Sequence, residues 1–133
     1  MRLSDYKEDQ SKQEGGSHCY IGEGFFLVRR FGTAETNKQV EDIKRELYGF
    51  APKNIDTNLV LAHWLCEYGV TGWGDILDEE ENDLEYSQQN ARRVLMNPEC
   101  FLSLNSLLIS HANNYSNYLY DEMIEDVETV KKS

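Results

Sequence analysis

The first 17 residues, MRLSDYKEDQSKQEGGS, are polar with apolar residues scattered singly, and they read as a flexible tail. The pattern changes at His18. CYI and FFLVRRF flank Gly22-Glu23-Gly24, which predicts a β-hairpin over residues 18–31. Two strands are marginal alone, so this hairpin has to pack on something. The period then lengthens. Val40, Ile43, Leu47 and Phe50 recur at spacings of three and four and form one helical stripe. Thr36 and Gln39 supply a capping box at its start, and Gly49 and Pro52 close it.

Asp56 reads as the next N-cap, with Ile55 before it as a staple. LVLAHWLCEYGV is apolar nearly all round, which predicts the central, most buried helix, ended by Gly69. Residues 73–77 read as a short strand, with 84–86 as its partner or as extended chain. Ser87 caps a short helix holding Ala91, Val94 and Leu95. Asn97-Pro98 restarts the chain, because Asn caps well and Pro suits the first helical position. A long amphipathic helix is expected from there to about Val130, through Phe101, Leu104, Leu108, Ala112, Tyr115, Leu119, Met123 and Val127. No internal repeat is visible. The pattern predicts an α+β, mostly helical fold: an N-terminal β-hairpin, about four helices and a second short hairpin. Residues 18–133 form one domain in this reading.

Length and charge narrow the function. A chain of 133 residues fits one domain. Such a domain buries about two thirds of its unfolded surface, enough for a core without disulfides. Cys19, Cys66 and Cys100 are odd in number and widely spaced, as expected of small buried groups in a reducing compartment. No run of about 18 apolar residues occurs, and the N-terminus lacks the apolar core of a signal peptide. A cytoplasmic protein is expected. The net charge of −11 argues against nucleic-acid binding and favours encounter with a basic partner.

Candidate chemistry is sparse. Asp78, Glu79, Glu80, Glu81, Asp83 and Glu85 crowd one short stretch, but a calcium loop from Asp78 would want Gly sixth and Glu twelfth, where Asp83 and Gln89 stand. The block reads as a solvated turn. His18, Cys19, His63 and Cys66 offer zinc-type donors, yet the apolar run around His63 favours a core histidine. Ser110-His111 and Cys100 lack any nucleophile frame, and GEGFF lacks the later Gly or Lys of a phosphate loop. No catalytic residue, cofactor or metal is expected. On the long helix, Tyr115, Tyr118, Tyr120 and Met123 are the candidate partner-binding residues, since Tyr and Met suit interfaces. The plainer alternative makes Tyr115 and Leu119 core, with Tyr118 and Tyr120 at its margin. The acidic end, Asp121, Glu122, Glu125, Asp126 and Glu128, opposes the helix dipole and is expected to fray.

The order of these signals resembles the tail assembly chaperone family of long-tailed bacteriophages. That family runs from a hairpin and helices into a Trp-led apolar run, an acidic turn, an extended "L-x-Y-S/T" and a helix opening on "E-N-A-x-x-L-L". Here these are Trp73-Gly74-Asp75-Ile76-Leu77, Asp78-Glu79-Glu80-Glu81, Leu84-Glu85-Tyr86-Ser87 and Asn90-Ala91-Arg92-Arg93-Val94-Leu95. The later Pro98 and the helix near Asn113-Asn114-Tyr115 also fit, so the resemblance covers about residues 18–120. It departs in the turn, where the family often has Gly and this chain has Glu81-Asn82-Asp83. Asn82 is the residue expected to take the turn conformation. The resemblance implies a non-catalytic protein that binds tape-measure and tail-tube proteins in the host cytoplasm and keeps them soluble. A homo-oligomer is compatible with it. Many relatives are made in two lengths by ribosomal frameshifting, and Lys131-Lys132 suits an A-rich slippery sequence. Trp73 is expected to anchor the stretch in the core. The alternative function is an acidic decoy that mimics nucleic acid and blocks a basic host protein. The grouping of acids at 78–85 and 121–128 tells against an even phosphate-like spread.

Overall fold

A hairpin turn at Gly22, with φ of 61°, joins β1 (Ser17–Ile21) to β2 (Gly24–Val28) in the computed structural model, which describes residues 1–50 and 53–120. A third strand, β3 (Val70–Gly74), pairs antiparallel with β2, so the sheet order is β1-β2-β3. The hairpin therefore gains its support from a strand that leaves the central helix. The short strand expected at 73–77 starts earlier, at Val70. The expected second hairpin shrinks to one bridge between Leu77 and Asp83. Alternation along the strands sets the faces. Cys19, Phe26 and Val28 are buried on one side, while His18, Tyr20, Phe25 and Leu27 lie on the other.

Among the described residues, five α-helices accompany this sheet: α1 (Gln10–Gly15), α2 (Ala34–Tyr48), α3 (Thr57–Trp64), α4 (Gln88–Leu95) and α5 (Leu104–Asn113). The fold is α+β and mostly helical, as the pattern predicts. Helix α2 begins before the predicted capping box. Thr33 is its N-cap and Thr36 its reciprocal partner. A second hydroxyl thus does the work that Gln39 was expected to do, and the buried Thr36 locks the start. The predicted stripe also runs out of the core. Ile43 is buried, but Leu47 and Phe50 reach the surface, and the Arg45 guanidinium lies 5.4 Å from the Phe50 ring centre.

Asp56 caps α3 as predicted, accepting from the Leu59 amide at 3.3 Å. Val60, Ala62 and Trp64 are fully enclosed, with the Trp64 indole donating to Gln39 at 2.9 Å. A π-helical turn, Leu65–Gly69, carries the chain from α3 into β3. Gly69 is required there, since a Cβ would stand 2.5 Å from the Trp64 ring. Ser87 starts α4 as predicted, accepting from the Asn90 amide at 3.0 Å.

The single long C-terminal helix does not form among the described residues. A 3-10 turn, Pro98–Cys100, precedes α5, and a second, Tyr115–Tyr118, follows it. Asn114 makes the break: its carboxamide oxygen accepts from the Ser116 amide at 3.1 Å and hydroxyl at 2.7 Å. Such side-chain bonds compete with helix continuation. The segment expected as a bare tail also carries structure, a 3-10 turn at Leu3–Tyr6 and then α1, which Asp9 caps. Much of its hold is polar, which hydrophobic patterning misses. The Asp9 amide donates to the Tyr118 carbonyl at 2.6 Å, Glu8 bridges to Leu119, and the Glu8 carboxylate meets Arg30 at 2.7 Å. Pro52, Met123, the acidic end and Lys131-Lys132 lie outside the described residues.

Candidate interaction surface

The candidate tyrosines separate into different roles. Tyr118 is 0% exposed, and its hydroxyl donates to the Val28 carbonyl at 2.8 Å. Burial pushes that hydroxyl's pKa far above the ordinary phenol value, against the opposing pull of Arg30, whose guanidinium lies 5.6 Å from the ring centre. Tyr118 ties the last turn to the sheet and offers nothing to a partner. Leu119 is core as well. Tyr115 and Tyr120 stay at the surface, 44% and 48% exposed. Tyr6 from the N-terminal turn sits beside Tyr115, ring centres 5.7 Å apart. The plainer alternative is therefore right about Leu119 and inverted for Tyr115 and Tyr118. The 3-10 turn, with its tighter period, rotates Tyr118 inward and Tyr115 outward.

A second aromatic surface was not singled out by sequence. His18, Tyr20 and Phe25 meet on the outer face of the sheet. His18 stacks on Tyr20 with centres 5.7 Å apart, and Phe25 stands 4.9 Å from His18 and 6.1 Å from Tyr20. Tyr20 is 73% exposed. The register places Tyr20 opposite Phe25 and Phe25 opposite Gly74. A Cβ at Gly74 would run into the Phe25 ring, so the ring lies across β3 where β3 has no side chain. The signal was present: His18 and Tyr20 alternate with Cys19, and Phe25 alternates with Phe26, so both sides of this sheet carry apolar groups.

The acidic stretch is built as a turn. Asp78 Oδ1 accepts from the amides of Glu80 at 2.9 Å and Asn82 at 3.0 Å. The left-handed residue is Glu81, with φ of 65°, rather than Asn82. Trp73 holds the two ends of the stretch together. Its indole donates to the Leu84 carbonyl at 2.7 Å, and its ring stands edge-on to Phe26 and Tyr86, 5.7 and 5.1 Å between centres. Tyr86 in turn donates to the Val70 carbonyl at 3.1 Å. Trp73 is an anchor, half-buried against the core.

The remaining candidate donors are spread out. His63 on α3 faces Glu67 of the following π-helical turn at 3.5 Å, Cys66 is fully buried, and His18 belongs to the outer sheet face. Among the described residues no three His, Cys, Asp or Glu side chains come together as a metal-holding cluster. Burial pushes the Cys19 and Cys66 thiols up. His111 shares a hydrogen bond with Ser17 at 3.1 Å, and burial lowers its pKa. A cavity of about 190 Å³ between α3 and α5 is walled by Leu61, Phe101 and Ile109, with Asn105 also lining it. Asn105 donates to the Leu95 carbonyl at 3.0 Å, while its own oxygen is sealed from solvent without a donor. No described helix is long and apolar enough to cross a membrane.

Residues 31–132 match the protein family described as YdaY prophage protein. No curated protein and no solved structure matches the chain.

Proposed function

The chain belongs to the YdaY prophage protein family, and from that premise we propose that it is a non-catalytic phage protein that holds tail components, the tape-measure protein and the tail-tube protein, before they assemble. The observation that carries this reading is the exposure of aromatic side chains on ordered elements. Tyr20 sits on a strand, and Tyr6 and Tyr115 meet at the two ends of the described chain. Monomeric proteins rarely keep such groups clustered at the surface without a partner. A holder of aggregation-prone chains needs apolar contact area and high solubility together, and the charge of −11 supplies the second. The order of Trp73, acidic turn, Ser87 cap and α4 supports the same assignment, because it is the order that resembles tail assembly chaperones. A non-catalytic role accords with His111 being hydrogen-bonded to Ser17 and with the burial of the Cys19 and Cys66 thiols.

The test is co-expression with the tape-measure and tail-tube proteins of the same prophage, followed by affinity capture and sizing of the soluble fraction. The reading expects this chain to come down with one of them and to raise its soluble yield. If both partners behave identically with and without it, the proposal fails. Capture of a basic host nuclease or repressor instead would favour the decoy function.

A further inference from the structure

Resting on the reading of a non-catalytic holding protein, we propose that the outer face of the sheet is the gripping surface, and that the gripped segment is extended and carries arginines alternating with apolar residues. Three features of this face favour that chemistry. It is aromatic and well supported: His18, Tyr20 and Phe25 stand in mutual contact on paired strands, with Leu27 continuing the row. It also lacks β3 side chains at two positions, where Gly72 pairs with Leu27 and Gly74 with Phe25. Phe25 lies on that bare backbone and presents a broad apolar shelf. Finally, its end is acidic. Glu23 occupies the exposed hairpin turn beside Tyr20 and Phe25, and Asp75 follows Gly74 directly. The Asp75 backbone passes so close to Gly24 that a Cβ there would be 2.5 Å from its carbonyl oxygen. The turn holding Asp78, Glu79 and Glu80 leaves the sheet from this same end.

Arginine fits both halves of the surface. Its guanidinium stacks on aromatic faces, is weakly hydrated, and pairs with carboxylates. An extended segment presents every second side chain to one side, which matches the period of a sheet face. β1 lies at the edge of the sheet, the place where a further strand can be added. A second copy of this chain is the poorer occupant, because each copy brings a charge of −11.

The probe is a short fluorescent peptide alternating arginine with valine, compared with lysine–valine and glutamate–valine versions by anisotropy on the full chain. The variants are Tyr20→Ser and Glu23→Lys, both at exposed positions, with unchanged melting temperature as the check on folding. The arginine peptide is expected to bind best, the lysine peptide more weakly and the glutamate peptide not at all. Each variant is expected to weaken the arginine peptide about five- to tenfold, the scale of one lost cation–π or charge contact. Equal binding of arginine and lysine peptides with no effect of either variant would overturn the assignment, and so would no binding. The same variants in the co-expression assay separate the two ideas. If Tyr20→Ser releases a tail partner that the unaltered chain holds, the face is the grip. If the partner is still held, the face is wrong and the holding function stands. If the unaltered chain holds no tail partner yet shows the peptide preferences, the face stands and the holding function fails.

Discussion

Glu81 shows what a single backbone angle costs. A φ of 65° is a left-handed conformation, which costs an L-residue about 1–2 kcal/mol. Glycine takes it without strain but loses about 0.5–1 kcal/mol of chain entropy. Glu81→Gly is therefore expected to stabilise the protein by up to about 1 kcal/mol, seen as a higher urea midpoint at unchanged slope. Asn82→Gly, made at the position that sequence reasoning favours for the turn, is expected to give no such gain. Tyr118 shows the opposite case, a side chain already in its best place. Tyr118→Phe keeps the ring and strips the donor from the Val28 carbonyl, so it is expected to cost about 1–3 kcal/mol, the penalty of an orphaned buried acceptor. A thermal or urea melt checks it, and a loss below a few tenths would mean the carbonyl finds another donor.

At the level of elements, the chain was legible where local chemistry decides and opaque where distant chemistry does. The hairpin at Gly22, the apolar α3, the caps at Asp56 and Ser87 and the anchor at Trp73 all follow from spacing and residue type within a few positions. β3 does not. Its sequence, VTGWG, interrupts its strand formers Val70, Thr71 and Trp73 with two glycines, and its pairing is settled by β2 lying beside it, where Gly72 and Gly74 admit Leu27 and Phe25. The helix break after Asn113 escaped because the apolar spacing continues through Tyr115 and Leu119, while the decision rests on the Asn114 carboxamide. The candidate surface was half legible for the same reason. Aromatic residues flag themselves, but their side of the protein depends on the tertiary turn. The N-terminal elements are held by polar contacts to residues 30 and 118–119. Removing residues 1–9 is expected to cost about 2–4 kcal/mol, from an ion pair and backbone bonds lost together. Glu8→Gln alone is expected to cost less than half of that. Urea unfolding of the two variants decides whether these contacts act as one unit.

For the molecule as a whole, pH enters through His111. Burial holds its pKa below the ordinary 6.5. As pH falls through 6.5 the unfolded chain takes up a proton that the folded chain resists, so stability is full above that value and declines below it. The melting temperature is expected to drop between pH 6.5 and about 5, before carboxylates begin to titrate. His111→Gln, which keeps a polar partner for Ser17, is expected to flatten that drop, and an unchanged slope in the variant would assign it to other groups. Charge acts on the same scale. Twenty-four acids against thirteen Lys and Arg keep the protein dispersed while its aromatic groups stay on the surface.

The bond from Lys12 to the Leu119 carbonyl joins positions 107 apart in the chain, and that span governs how the protein can be made. During synthesis the sheet strands and α3 leave the ribosome early. The groups that close them, Tyr118 on Val28 and Leu119 on Lys12, emerge late. A nascent chain stalled before residue 118 holds β2 with one carbonyl uncapped and the Asp9 amide without its acceptor. Folding should therefore finish in a single late step, with long loops to close first. Until then the aromatic groups are a liability in the newborn chain, the same hazard that the finished protein is proposed to suppress in others.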